Sequence, residues 1–168
     1  MDESTGHRAK FACVNWAGHL EVMMPEGLHK QPLKDIVAQI PKNNFNCVRL
    51  TYAIHMWTRF ADEPILNRLN ISDLSYAIEG IKTNNPTLLN MTHLQVFDAV
   101  VSELGAQNVR VLLDNHVSIP KWCCNDDDDN GFFYDRHFDP QEWIEGLSLA
   151  AKHYAGHPAV CIYFISSY

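Results

Sequence analysis

Polar side chains able to do chemistry follow directly on three apolar runs of this sequence. Asn15, Trp16 and His19 close or follow a run beginning at Phe11, Arg49 interrupts the run from Phe45 to Ala53, and Asp114, Asn115 and His116 follow Val109 to Leu113. A guanidinium inside an apolar run needs partners, and a carboxylate is the natural one. That carboxylate could belong to an active site, or it could be a neighbouring acid in a structural ion pair, which is the commoner arrangement. His116, two residues from Asp114, has the chemistry of a general acid/base, or of a loop histidine bonded to backbone. Six rings (Trp16, Trp57, Trp122, Phe132, Phe133 and Tyr134) fall in or near the adjoining segments. Flat apolar faces beside amides and acids suit sugar rings, and the same rings could equally cap the core beneath the loops.

Other patterns do not complete a site. Asp126, Asp128, Asn130 and Gly131 are in register with the front of a calcium loop, but the twelfth position is His137 instead of the bidentate Glu such loops use. A solvated acidic loop is therefore expected. His153 and His157 are four apart, but Gly156-His157-Pro158 breaks the helix that would pair them on zinc. No dinucleotide glycine motif, Walker lysine loop or nucleophile elbow occurs. Cys13, Cys47 and Cys161 sit in apolar runs and read as buried thiols. The adjacent Cys123 and Cys124 lie in a loop and could form disulfides in a secreted protein, a history with which the sequons at Asn70 and Asn90 are compatible.

The elements that must position these residues alternate. A buried strand spans 11–16, and a helix follows Pro32 with Leu33, Ile36, Val37 and Ile40 on one face, ended by Pro41. The second strand, 45–53, is apolar on both parities, as a parallel strand covered on both faces requires. Leu74, Ala77, Ile78 and Ile81 predict a short helix, and Asn84-Asn85-Pro86 a break. Thr92-His93-Leu94-Gln95 is a capping box opening a helix with Leu94, Phe97, Val101 and Leu104 inward, closed by Gly105. A third strand spans 109–113, and 115–138 reads as a polar, aromatic loop. Asp139-Pro140-Gln141-Glu142 opens another helix, with Ile144, Leu147, Ala151 and Tyr154 inward, and a fourth strand covers 159–165. Such alternation predicts a parallel α/β sheet. Four strands with covering helices fit either an open sheet or half of a (β/α)₈ barrel. In both, reactive groups gather beyond the carboxyl ends of the strands.

The composition is that of an ordinary globular domain: 168 residues, 46% apolar and 20% charged. A net charge of −7 disfavours a nucleic-acid partner. No apolar run approaches the ~20 residues of a membrane span. Residues 1–10 lack the apolar centre of a signal peptide, and residues 1–9 are expected to be disordered.

Seven blocks, in order, resemble glycoside hydrolase family 5, specifically its plant cellulase-like members. They are Cys-Val-Asn-Trp-Ala-Gly-His-Leu-Glu at 13–21, Pro-Glu-Gly-Leu-His-Lys-Gln-Pro at 25–32, Phe-Asn-Cys-Val-Arg-Leu-Thr at 45–51, Leu-Leu-Asp-Asn-His-Val-Ser at 112–118, Trp-Cys-Cys at 122–124, Asn-Gly-Phe-Phe at 130–133 and Phe-Asp-Pro-Gln-Glu-Trp-Ile-Glu-Gly-Leu at 138–147. The resemblance implies a partial (β/α)₈ TIM barrel covering about the first four βα units, with residues 1–168 as one truncated catalytic domain. It implies retaining, endoglucanase-like hydrolysis of a β-linked glycan, no cofactor, and the secreted or cell-wall setting typical of the family. Arg49 and His116 match residues that support the catalytic centre. Asn15, Trp16, His19, Asn115 and Trp122 are the candidate substrate contacts. The family's acid/base follows strand four as an Asn-Glu pair, roughly where this sequence reads Ser167-Tyr168, and its nucleophile lies on strand seven. The 168-residue chain is therefore expected to lack both glutamates and to be inactive, either a truncated form or a carbohydrate-binding remnant. Its first and fourth strands, as open edges, are expected to favour self-association.

Overall fold

A computed structural model describes residues 10–165 except 72, 73, 124 and 126, together with residues 6 and 8. The expectation for residues 1–9 thus falls largely outside the described residues. Four strands, β1 (Cys13–Trp16), β2 (Cys47–Ala53), β3 (Arg110–Val117) and β4 (Val160–Ile165), form one parallel sheet. Its order is β1-β2-β3-β4. Each strand pairs with its successor and the order never reverses, so the winding is that of a barrel; a doubly wound sheet reverses at a switch point.

The crossovers carry α1 (Leu33–Lys42), α5 (His93–Ala106) and α6 (Pro140–His153). Between β2 and α5 lie α2 (His55–Thr58), α3 (Ile65–Ile71), α4 (Ser75–Asn84) and a 3₁₀ turn, Pro86–Asn90. A single helix was expected for this stretch. Its short segments lack enough turns to show a helical period, and contacts such as Ile65 N to Met91 O hold them instead. Asn85, in the expected break, is buried; its amide donates to Leu28 O and Gln31 O and its Oδ1 accepts from Leu33 N. α1 continues through Pro41 to Lys42. Thr92 and Gln95 form the full reciprocal capping box on α5.

Three further expectations are corrected. β3 runs to Val117, so Asp114, Asn115 and His116 are strand residues, and the loop begins at Ser118. Thr51 pairs with Asp114 and Tyr52 with Asn115 in the ladder, so backbone pairing continues where the side chains turn polar. α6 buries Gly146 and Ala150, with Tyr154 buried just past its end, and packs Trp143 and Leu147 on the core, whereas Ile144, at 53%, and Ala151 are exposed. The cause is close packing at Gly146, where a Cβ would lie 3.0 Å from two Ile54 atoms. Cys13 and Cys47, adjacent in register, are disulfide-bonded instead of being free thiols, and Cys161 is free but exposed. Cys123 is also disulfide-bonded, and Cys124 lies outside the described residues.

The core fills the space between sheet and helices with Val48, Leu50, Val111, Leu113, Phe97, Val100, Val101 and Leu104. Trp57 belongs to it at 5% exposure, stacked edge-on to Tyr52 and Tyr154, not to the rim.

Candidate active site

Alternation along the strands sends one set of side chains toward the helices and the other toward the open, concave face. On the second set lie Asn15 of β1, paired in register with Arg49, and Thr51 of β2, paired with Asp114. Asn15, Arg49, Thr51 and His116 line a cleft of about 500 Å³ with Ala17, His19, Trp122, Cys123 and Phe132. The cleft lies at the carboxyl ends of β1–β3, where parallel α/β folds place their chemistry.

Its floor is an ion pair joined by an imidazole. Arg49 Nη2 lies 3.0 Å from Asp114 Oδ2, and His116 Nδ1 lies 3.1 Å from the same oxygen. Asp114 is fully buried, while Arg49 and His116 keep an edge in the cleft. Arg49 thus has the structural ion pair with a neighbouring acid. The Asp114 Oδ1 atom has no hydrogen-bond partner among the described residues. One lone-pair-bearing oxygen is therefore buried beside the cation that balances it.

Beside these groups, Thr51 Oγ1 accepts from Gly18 N at 3.1 Å and points its hydrogen at Trp16 O, 3.4 Å away. The hydroxyl has one proton, so its 2.7 Å contact with His19 Nδ1 assigns the proton of that bond to the imidazole. Burial, reinforced by the neighbouring His116, lowers the His19 pKa from 6.5 to about 4. His19 is consequently neutral near pH 7. Its ring tilts over His116 with centroids 4.5 Å apart. Gly18 is obligatory here, because a Cβ would come within 2.8 Å of Thr51 O.

The rim is aromatic and held by backbone bonds. Lys121 N donates to His19 O, and Trp122 N to Glu21 Oε1, so the loop after β3 is tied to the loop after β1. Trp122 is 66% exposed above the cleft. Phe132 faces the cleft, whereas Phe133 packs on Phe138 at 4.6 Å and extends an aromatic row to Trp143. The acidic loop closes on itself: Asp128 accepts from Asn125 N and Asn130 N, and Asp135 from Gly131 N and Phe132 N. Asp126 lies outside the described residues. His153 is engaged by Asp98 and not by His157.

The structure therefore brings together Asn15, His19, Arg49, His116 and Trp122. It does not bring Trp16 or Asn115 into the cleft. Trp16 is buried on the helix side with its indole N–H donating to Glu26 O, and Asn115 accepts from Trp143 Nε1 of α6 at 2.9 Å. Both have even-odd positions opposite to those of their cleft-lining neighbours, a parity the sequence displays but that carries meaning only once the register is known. Thr51, Cys123 and Phe132 join the lining beyond the expected set.

The family model for cellulase, glycosyl hydrolase family 5, matches residues 8–165. A glycosyl hydrolase 5 family protein of Chamaecyparis obtusa is 48% identical over 162 residues, covering 95% of this chain and 29% of its own length. An endoglucanase of Paenibacillus polymyxa is 24% identical, with 95% and 35% covered. The chain thus spans about a third of the curated relatives it matches. Among solved structures, the catalytic domain of the major endoglucanase from Xanthomonas campestris pv. campestris superposes with a TM-score of 0.74 at 24% identity, over 96% of this chain and 41% of that one. An endocellulase of Pyrococcus horikoshii in complex with cellotetraose gives 0.72 at 22% identity, over 92% and 36%. The sheet is accordingly part of the family's barrel, and the chain belongs to glycosyl hydrolase family 5.

Proposed function

We propose that this chain provides the first four βα units of a retaining, endoglucanase-like β-glycan hydrolase, and that the 168-residue polypeptide binds glycan without cleaving it. The cleft carries this reading. Asn15 offers an amide, His19 and His116 offer imidazoles, and Arg49 offers a guanidinium edge, beneath the exposed ring of Trp122. A sugar presents C–H faces to such a ring and hydroxyls to such polar groups.

Retention requires two carboxyl groups about 5–5.5 Å apart, one as nucleophile and one as acid/base. Among the described residues that line the cleft none is acidic. Asp114, beneath them, already has its Oδ2 engaged by Arg49 and His116. Both catalytic glutamates are assigned to the remainder of a complete barrel, where Arg49 would favour the ionised form of a carboxylate brought to its free edge. The purified chain should show no turnover of aryl β-glycosides or soluble β-glucan, while cellotetraose should quench or shift tryptophan emission saturably. Robust turnover, or an emission spectrum indifferent to millimolar cellotetraose, would refute the respective half of this reading.

We further infer that β1 and β4, each paired on one side only among the described residues, drive self-association of the isolated polypeptide. Sedimentation velocity should show oligomers growing with concentration; a single monomeric species throughout would contradict it.

A further inference from the structure

The cleft holds a second chemistry that glycan hydrolysis does not use. The ligand atoms of His19, His116 and Cys123 all lie within 4.8 Å of one another, the only such group of three among the described residues. Tetrahedral bonds of about 2.0–2.1 Å to nitrogen and about 2.3 Å to sulfur place ligand atoms closer together than this, and the Cys123 side chain, once released from its disulfide, would close the remainder.

Both imidazoles are supported from behind. His116 Nδ1 is held by the buried Asp114 carboxylate and His19 Nδ1 by Thr51 Oγ1. Coordination through the Nε2 atoms keeps both bonds intact, giving the carboxylate–histidine and hydroxyl–histidine supports that orient such ligands and raise their basicity. The imidazoles and sulfur match borderline-soft divalent ions, and three protein ligands leave a fourth position for water.

Cys123 is disulfide-bonded, so its sulfur is a poor ligand in that state. We propose that reduction of the Cys123 disulfide creates a three-coordinate His19–His116–Cys123 site for zinc or a similar divalent transition ion. The reductant is a small dithiol: it delivers two electrons and two protons, the protein S–S bond breaks to two thiols, and the dithiol becomes its own disulfide. On binding, the metal displaces the Cys123 thiol proton to solvent.

Cobalt(II) reports the test, because thiolate coordination gives an intense near-ultraviolet charge-transfer band and a tetrahedral site gives visible absorption. The full chain is reduced, freed of reductant and titrated. The expected result is one equivalent bound with both bands, reversed by zinc and absent from the unreduced protein. Cys161→Ser should keep the band, since that residue stands at the amino end of β4 and the cleft lies at the carboxyl ends of the strands. Cys123→Ser should lose it. His19→Ala and His116→Gln should each weaken cobalt binding at least tenfold, with far-ultraviolet dichroism confirming that at least one of them is folded. A reduced protein without the band, a band that survives Cys123→Ser, undiminished affinity in a folded histidine variant, or the same band before reduction would overturn the proposal.

Discussion

At the residue scale, the floor of the cleft depends on a buried carboxylate that one cation balances. Removing Arg49 leaves Asp114 charged and enclosed, and loss of one partner of a fully buried pair costs about 3–5 kcal/mol. Arg49 keeps a quarter of its side chain exposed, so Arg49→Ala is expected to cost about 2–3 kcal/mol in urea unfolding. Arg49→Ala combined with Asp114→Asn should recover much of that loss, and a double variant no more stable than the single one would contradict the pairing. His19 adds a pH dependence. Unfolded, it titrates near 6.5; folded, near 4. Between these values the unfolded chain binds the extra proton, so stability is full above pH 6.5 and falls as pH drops toward 4, by about 3 kcal/mol over the window. His55 and His93, also lowered by burial, act in the same direction. Urea midpoints at pH 7 and pH 4.5 should therefore differ less in His19→Gln than in the parent, and equal differences would remove His19 from the account.

At the element scale, α2 and α6 are fastened by Glu142. Its Oε1 accepts from Thr58 Oγ1 and Arg59 Nε, each at 2.7 Å, and His55 approaches from the buried side. The hydrogen bond from Arg59, with Thr58 and His55 adding to it, lowers the Glu142 pKa from 4.5 to about 2. Its contribution is present above pH 4.5 and fades only below that, as the His19 transition nears its end. Arg59 is more than half exposed, so solvent screens the pair, and Glu142→Gln should cost about 1 kcal/mol at pH 7 by thermal or urea denaturation. The same residue shows what sequence conveys about elements. Asp139 caps α6 as its capping-box spacing predicts, accepting from Gln141 N and Glu142 N, but Glu142 turns to α2 instead of reciprocating. Helix starts depend on neighbours in sequence and could be read; the partner of Glu142 is 83 residues away and could not. β3 was underestimated for a related reason. Asp114 and Asn115 look like loop residues until Arg49 and Trp143, both distant in sequence, are in place to satisfy them.

At the scale of the whole molecule, the winding order was legible because apolar runs and amphipathic helices alternate, and alternation restricts the topology. The cleft was legible in part: the carboxyl ends of strands identified Asn15, His19, Arg49 and His116, whereas parity across the sheet, which withdraws Trp16 and Asn115, required the register. The disulfide between Cys13 and Cys47 was hidden because two cysteines in apolar runs look alike whether bonded or free. It closes a segment with a sequence separation of 34, which corresponds to a stabilisation of about 3–4 kcal/mol on the chain-entropy account. Cys13→Ala with Cys47→Ala should lower the urea midpoint accordingly, and an unchanged midpoint would show that β1 is held by packing alone. The central claim is the proposal that the cleft binds glycan without cleaving it. Calorimetric titration of the 168-residue chain with cellotetraose, with reducing ends assayed in the same samples, tests it most directly. The account predicts saturable binding, about fivefold weaker in Trp122→Ala because about 1 kcal/mol of ring contact is lost, and no new reducing ends. No saturable heat at millimolar cellotetraose, or accumulation of reducing ends, would contradict it.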